Sequence, residues 1–211
     1  MTIVGEVAAI HRYPVKSLAG ETLEFAQIDG DGIPGDRSRA LFVTAGHARI
    51  GKTFRGKEHN LLHLTHDTAH AAALANRQNV EVELRDGTHY FDAAPISIVF
   101  DTWVEEISRA LGRQLDYRRW RPNFLVRATK DFELLESDMP GAEIHIGSAV
   151  LRIRKAIQRC VTPTYDVETG EPTPEILRYI AQERNNCFGV YGDVELAGVV
   201  RAGDPVRLRA S

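Results

Sequence analysis

Cysteine is scarce: Cys160 and Cys187 are the only two in 211 residues. Two thiols exclude a disulfide framework, a Cys-only zinc centre and a four-thiolate iron–sulfur cluster. No apolar run approaches the roughly 18 residues that a membrane span requires, and no basic segment precedes an apolar one near Met1 as in a signal peptide. Neither charge dominates, with 26 Lys plus Arg against 29 Asp plus Glu and a formal net charge of -3; no global basic field marks a nucleic-acid binder. A Gly-x-Gly-x-x-Gly nicotinamide fingerprint is missing, and no lysine has the setting of a pyridoxal-phosphate anchor. These absences predict a globular protein of a reducing compartment, cytoplasmic, with neither membrane nor nucleic acid as partner.

What is present reads mostly as short strands. Thr2 to His11, Thr22 to Ile28, Leu41 to Thr44 and Val80 to Leu84 carry β-branched or alternating apolar residues. Asp86-Gly87 before Thr88 to Phe91 signals a hairpin. Asn60 to Thr65 reads as a strand, followed by a helix from Thr68 through the alanines. Ser97 to Leu111 sets Ile98, Trp103, Val104, Ile107 and Leu111 near one helical face, with Gly112 as a stop. Pro174 to Glu183 predicts a second amphipathic helix, with Thr173 as its cap. Phe124 to Arg127, Glu143 to Ile146, Val150 to Ile153, Phe188 to Leu196 and Val206 to Leu208 complete the expected strands. Many strands, few helices and no regular βα alternation predict a mostly β (α+β) fold: an antiparallel barrel with helical insertions, and a soft boundary near Asp92.

Cys160 stands between Arg159 and a turn-rich loop. A neighbouring guanidinium favours the thiolate, which is both nucleophile and soft-metal ligand. Cys187, opening a strand, reads as structural. Lys16, Ser17, Arg37, Arg121 with Asn123, and Arg159 all fall at expected strand ends or turns, where they can converge on one anionic ligand. Arg37 closes the run Asp29 to Arg37, whose glycines allow a backbone anion-binding concavity. Tyr117 to Arg121, basic and aromatic, carries a minor expectation of stacking on single-stranded nucleic acid. His59, His63, His66 and His70 would form a metal-binding stripe only on one continuous helix.

Taken together, Tyr13-Pro14-Val15-Lys16-Ser17, Gly35-Asp36-Arg37, Arg121-Pro122-Asn123, Arg159-Cys160 with Thr164 to Gly170, Phe188-Gly189-Val190-Tyr191 and Gly203-Asp204-Pro205-Val206 resemble the MOSC family, the molybdenum-cofactor sulfurase C-terminal domain. The resemblance is strongest to its amidoxime-reducing-component and YcbX-like branch, and the shared order spans about 190 residues. It implies a MOSC-type β-barrel at residues 93–211 behind an N-terminal β-rich region at residues 1–92. It implies that Cys160 ligates the molybdenum of a Mo-molybdopterin cofactor, and that Lys16, Ser17, Arg37, Arg121, Asn123 and Arg159 hold the pterin and its phosphate, with Tyr191 beside them. The implied activity is reduction of a small N-oxygenated substrate, a hydroxylamine or amidoxime. Electrons would come from a separate flavin or iron–sulfur reductase, since no internal flavin, haem or iron–sulfur cluster is expected. Ala93 and Ala94 depart from the small hydroxyl residues common there in relatives. The alternative is a sulfur- or cofactor-carrier function, in which Cys160 takes sulfur as a persulfide from a cysteine desulfurase.

Overall fold

In the computed structural model, which describes residues 1–87 and 89–209, twelve strands and three α-helices are described. In chain order these are β1 (Thr2–Arg12), β2 (Glu21–Leu23), β3 (Phe25–Ile28), β4 (Arg39–Gly46), α1 (Thr68–Asn76), β5 (Val80–Asp86), β6 (Ile96–Phe100) and α2 (Asp101–Ala110). There follow β7 (Phe124–Ala128), β8 (Glu143–Ile146), β9 (Ala149–Gln158), α3 (Pro174–Glu183), β10 (Cys187–Leu196), β11 (Gly198–Arg201) and β12 (Pro205–Arg209). The protein is mostly β.

Seven strands close into a barrel in the order β12-β8-β9-β10-β6-β7-β1, because β1 pairs with both β7 and β12. All pairings are antiparallel except β6 with β7, which run parallel and are joined by the α2 crossover. Closure needs strongly curved strands, and bulges provide the curvature in β1 at Ile3/Gly5 and Val7/Ala9 and at three places along the β9–β10 pair. Gly5 sits at one bulge, where a Cβ would lie 2.3 Å from the Arg127 carbonyl oxygen. The interior is filled by alternate residues of these strands, including Ile98, Phe100, Phe124, Val126, Ile144, Leu151, Phe188 and Val206, all almost fully buried. The barrel thus draws β1 from within residues 1–92. A second apolar cluster, with Val15, Leu18, Leu41, Val43, Phe54, Leu62 and Leu74, lies between the β4–β5 ribbon and α1. Three short strands stand outside the barrel: β2 pairs with β1, and β3 pairs with β11.

Several sequence expectations are corrected. The single helix over Ser97 to Leu111 is a strand followed by a helix. Ile96–Phe100 is buried at every position between β10 and β7, and a fully buried strand has no polar face to show alternation. Asp101 then turns the chain, accepting from the Thr102 and Ala128 amides at 2.8 and 2.9 Å. Thr22 to Ile28 breaks at Glu24, whose carbonyl accepts from the Ala202 amide, so its halves pair with different strands. Of the expected hairpin after Asp86-Gly87, Thr88 lies outside the described residues; His89 to Phe91 form no strand, and β5 pairs with β4 instead. Asn60 to Thr65 holds a single 3₁₀ turn at Leu62–Leu64. Pro174–Glu183 is a helix as the apolar stripe predicts, but the Thr173 side chain does not cap it.

Candidate active-site cleft

The first strand ends at Arg12. In the segments between strands the backbone takes left-handed angles at three non-glycine positions: Ser17 (φ 70°), Arg37 (φ 48°) and Arg121 (φ 53°). The other three described non-glycine residues with positive φ are asparagines, which tolerate this region. Ser17, Arg37 and Arg121 all line one open cleft, which encloses about 740 Å³ including its mouth. Strained backbone that the surrounding fold over-determines concentrates at functional sites.

The cleft brings together Lys16, Ser17, Arg37, Arg121, Arg159, Cys160 and Tyr191. Asn123 is not among its lining. It is fully buried beneath the floor, where its Oδ1 accepts from Arg37 Nη1 (3.2 Å), Ser97 N (3.0 Å) and Ser97 Oγ (2.9 Å), and its Nδ2 donates to the His11 carbonyl at 3.2 Å. Asn123 is therefore placed to hold Arg37, Ser97 and the His11 carbonyl and not to line the cleft. Sequence reasoning missed Asp92, Ser97, Arg119, Trp120 and Tyr90 in the lining. It also missed the role of Tyr13, whose ring lies under two guanidinium groups, with Arg37 at 4.8 Å and Arg121 at 4.3 Å. Burial pushes the Tyr13 phenol up to about 12.

Five cations and one carboxylate, Asp92, line the cleft among the described residues, yet their donors are not equally free. Arg37 donates to Asp36, to Asn123 and to the Arg121 carbonyl at 3.2 Å. Burial opposes its charge, but Asp36 outweighs that and raises its pKa. Lys16 Nζ donates to Asp92 at 2.5 Å; burial works against the Asp92 carboxylate, but the ammonium prevails and lowers its pKa. Arg119 reaches the Thr164 carbonyl (3.0 Å) and Asp166 (2.5 Å), fixing the loop that follows Cys160. Arg159 donates to the Phe188 and Trp120 carbonyls at 2.7 and 3.1 Å, leaving a buried Nη2 with no acceptor. Arg121 makes no side-chain hydrogen bond among the described residues, and its buried Nη2 is likewise unpaired. Burial, with Arg37 adding repulsion, holds the Arg121 guanidinium down at about 10.

Cys160 lies just beyond the end of β9, exposed, with Sγ 3.3 Å from Thr162 Oγ1. Cys187 is outside the cleft lining, and burial followed by the nearby Glu136 raises its pKa, which keeps it a thiol.

Three minor readings of the sequence find no support in the geometry. The turn from Asp29 to Arg37 is no anion nest: the Asp31, Gly32 and Asp36 amides donate within the turn. In the Tyr117 to Arg121 segment, Arg119 and Trp120 are buried, Trp120 stacked on Phe188 at 4.4 Å, so the segment offers no stacking platform for nucleic acid. The histidines do not share one helix, and no group of three metal-ligating side chains occurs among the described residues. No described helix is long and apolar enough to cross a membrane.

The family model for the MOSC domain matches residues 85–207, more than half of the chain. Curated relatives include mitochondrial amidoxime reducing component 2 of Macaca fascicularis, 28% identical over 130 residues covering 56% of this chain and 38% of the relative. Mitochondrial amidoxime-reducing component 1 of Mus musculus is 26% identical over 159 residues, 69% of this chain and 46% of the relative. The chain thus spans less than half the length of these relatives. Among solved structures, the YuaD protein of Bacillus subtilis superposes with a TM-score of 0.61 at 18% identity, covering 99% of this chain and 97% of that one, which shows a shared fold.

Proposed function

Since the chain belongs to the MOSC domain family, a class associated with the molybdenum cofactor, we propose that its cleft holds that cofactor and that the protein reduces N-hydroxylated compounds such as hydroxylamines and amidoximes. The observation that carries this reading is the pair of buried, unpartnered guanidinium nitrogens on Arg121 and Arg159, beside an exposed thiol. Desolvated donors without acceptors are costly unless an anionic or polar ligand satisfies them. A phosphorylated pterin supplies such acceptors, and a thiolate is the ligand type a soft metal selects. The donor set fits the group.

In this reading Cys160 ligates the metal, Arg121 and Arg159 take phosphate or pterin oxygens, and Ser17 and Tyr191 complete the lining. Lys16 joins them once Asp92 releases it. Arg37 lines the cleft with its donors already engaged and holds the Arg121 carbonyl, and Asn123 one layer below braces Arg37. The bound cofactor supplies two-electron redox chemistry at the N–O bond. Reduction of N–OH to N–H consumes two electrons and two protons and releases water. Electrons then come from a separate flavin or iron–sulfur protein, because two cysteines cannot ligate a four-thiolate cluster.

The test is production in a host that makes the cofactor, followed by metal and pterin analysis and an N-reduction assay driven by reduced viologen. Cys160→Ser should lose molybdenum or turnover while remaining folded, and Cys187→Ser should keep both. Full metal content and turnover in Cys160→Ser would remove the assignment. A loaded protein inert towards N-oxygenated substrates, whose Cys160 gains one sulfur atom from a desulfurase and cysteine, would establish the carrier function instead.

A further inference from the structure

A second cavity lies on the other side of Arg121. It encloses about 590 Å³ including its mouth, and its wall includes His11, Thr22, His63, His66, Arg118 and Arg121. No carboxylate is among its described lining residues, and Arg121 is the one lining residue the two cavities share. Arg118 is steadied from behind by Asp116, which accepts from its Nε and Nη2.

His63 gives this cavity a directional feature. Its Nε2 lies 2.9 Å from the Asp166 carbonyl oxygen, and a carbonyl only accepts, so Nε2 carries the proton and Nδ1 carries a lone pair. The ring is fixed by stacking on Tyr165, with centroids 5.9 Å apart and planes 16° from parallel. Nδ1 is buried and has no partner. Burial lowers the His63 pKa, and Arg121 and Arg119 reinforce this against the Asp166 contact, so the ring stays neutral near neutral pH. The cavity therefore offers one guanidinium with an unpaired buried nitrogen, Arg121, a second guanidinium already braced by Asp116, Arg118, and one buried nitrogen that needs a donor, His63 Nδ1.

We propose that this cavity is a second ligand site, selective for an oxyanion that still carries a hydroxyl, hydrogen phosphate in its simplest form. Arg121 and Arg118 take its charged oxygens, and His63 Nδ1 accepts from its P–O–H. Sulfate has similar size and charge but no O–H at neutral pH, so it would leave Nδ1 unsatisfied. A site built around a hydrogen bond rejects an analogue that lacks it, because the buried group stays unpaired. Phosphate should therefore bind at least tenfold more tightly than sulfate. The site shares Arg121 with the proposed cofactor cleft but uses neither Cys160 nor Arg159, so variants at Arg159 separate the two readings.

The experiment follows the histidine ring nitrogens of the full-length, 15N-labelled protein by NMR while inorganic phosphate, then sulfate, is titrated. Phosphate should shift the His63 Nδ1 resonance saturably and sulfate should do so only at much higher concentration. The double variant Lys16→Met/Arg159→Leu, which cripples the first cleft alone, should retain this response. His63→Leu should abolish the preference for phosphate; Arg118→Leu, at a half-exposed position outside the core, should weaken phosphate about tenfold whether or not the His63 variant folds. An unmoved His63 at saturating phosphate, equal affinity for sulfate, or loss of the response in the double variant would overturn the proposal.

Discussion

Replacing Arg121 with methionine should weaken ligand binding and at the same time stabilise the ligand-free protein. A guanidinium held at about 10 instead of its ordinary 12.5 destabilises the folded state by roughly 3 kcal/mol at neutral pH, an upper figure because the side chain is partly exposed and solvent screens it. Against this stands the cation–π contact with Tyr13 at 4.3 Å, worth about 0.5–1 kcal/mol. Methionine keeps an unbranched stem over the ring, and it inherits the left-handed backbone, so that strain cancels in the comparison. The net expectation is about 1–2 kcal/mol of added stability, a rise of roughly 2–8 °C in Tm for a chain of this size. In the ligand-bound protein each lost charge-assisted hydrogen bond costs about 1.5–3 kcal/mol, so affinity for the anionic ligand should fall by about tenfold or more. Thermal unfolding without ligand, paired with phosphate or pterin binding, reads both signs at once. A variant destabilised by 2 kcal/mol or more with unchanged affinity would mean that the guanidinium is a structural element, and the reasoning from its unpaired nitrogens would fail.

Three further outcomes are expected. Gly189→Ala should lower stability and cofactor content together, because its Cβ would stand 3.0 Å from Arg159 Nη2, the Ile98 carbonyl oxygen and Val99 Cγ2 at a φ of +80°; unchanged cofactor content in purified protein would count against Arg159 as a ligand contact. Arg184→Met should cost about 3–5 kcal/mol in denaturant unfolding, since it strands the buried Glu136 carboxylate, which it contacts at 2.8 Å; a loss under 1 kcal/mol would show that water reaches Glu136. Burial lowers the pKa of both His11 and His63 below 6.5, so below that value the unfolded chain binds more protons than the folded one and stability falls as pH drops. In His11→Gln the slope of unfolding free energy against pH between 6.5 and 5 should be shallower; an unchanged slope would exclude His11 as a contributor.

The β-rich character, the bounds of α3 and the gathering of Lys16, Ser17, Arg37, Arg121, Arg159 and Tyr191 beside Cys160 were legible because each rests on local pattern: alternation, a proline start with an apolar stripe, short motifs at strand ends. Ile96–Phe100 was not, because a strand buried on both faces has the same composition as the start of an amphipathic helix. The differing roles of Arg37 and Arg121 were also hidden. Both close turns in left-handed conformation, but Arg37 is consumed by Asp36, Asn123 and the Arg121 carbonyl, partners fixed only when segments 84 and 86 residues apart meet. Asn123 illustrates the same limit: its place two residues after Arg121 suggests a ligand contact, while the burial of β7 turns it into the floor. Tyr13 stands in the motif that carries Lys16 and Ser17, but its place under two guanidinium groups, like the arrival of Asp92, is set by tertiary packing alone.

The barrel closes by a seam between β1 and β12 in which Thr2 faces Leu208. During synthesis from the N-terminus, β1 therefore emerges about 200 residues before one of its two barrel partners. Until β12 leaves the ribosome, one edge of β1 has no barrel neighbour, and unpaired edges are where nascent chains associate wrongly. Native pairings of such long sequence separation also slow the final closure. The alternation in β1 is interrupted by Gly5 and two bulges, features that discourage edge-to-edge pairing between chains. The same irregularities that curve the barrel thus guard its first strand while it waits for its last.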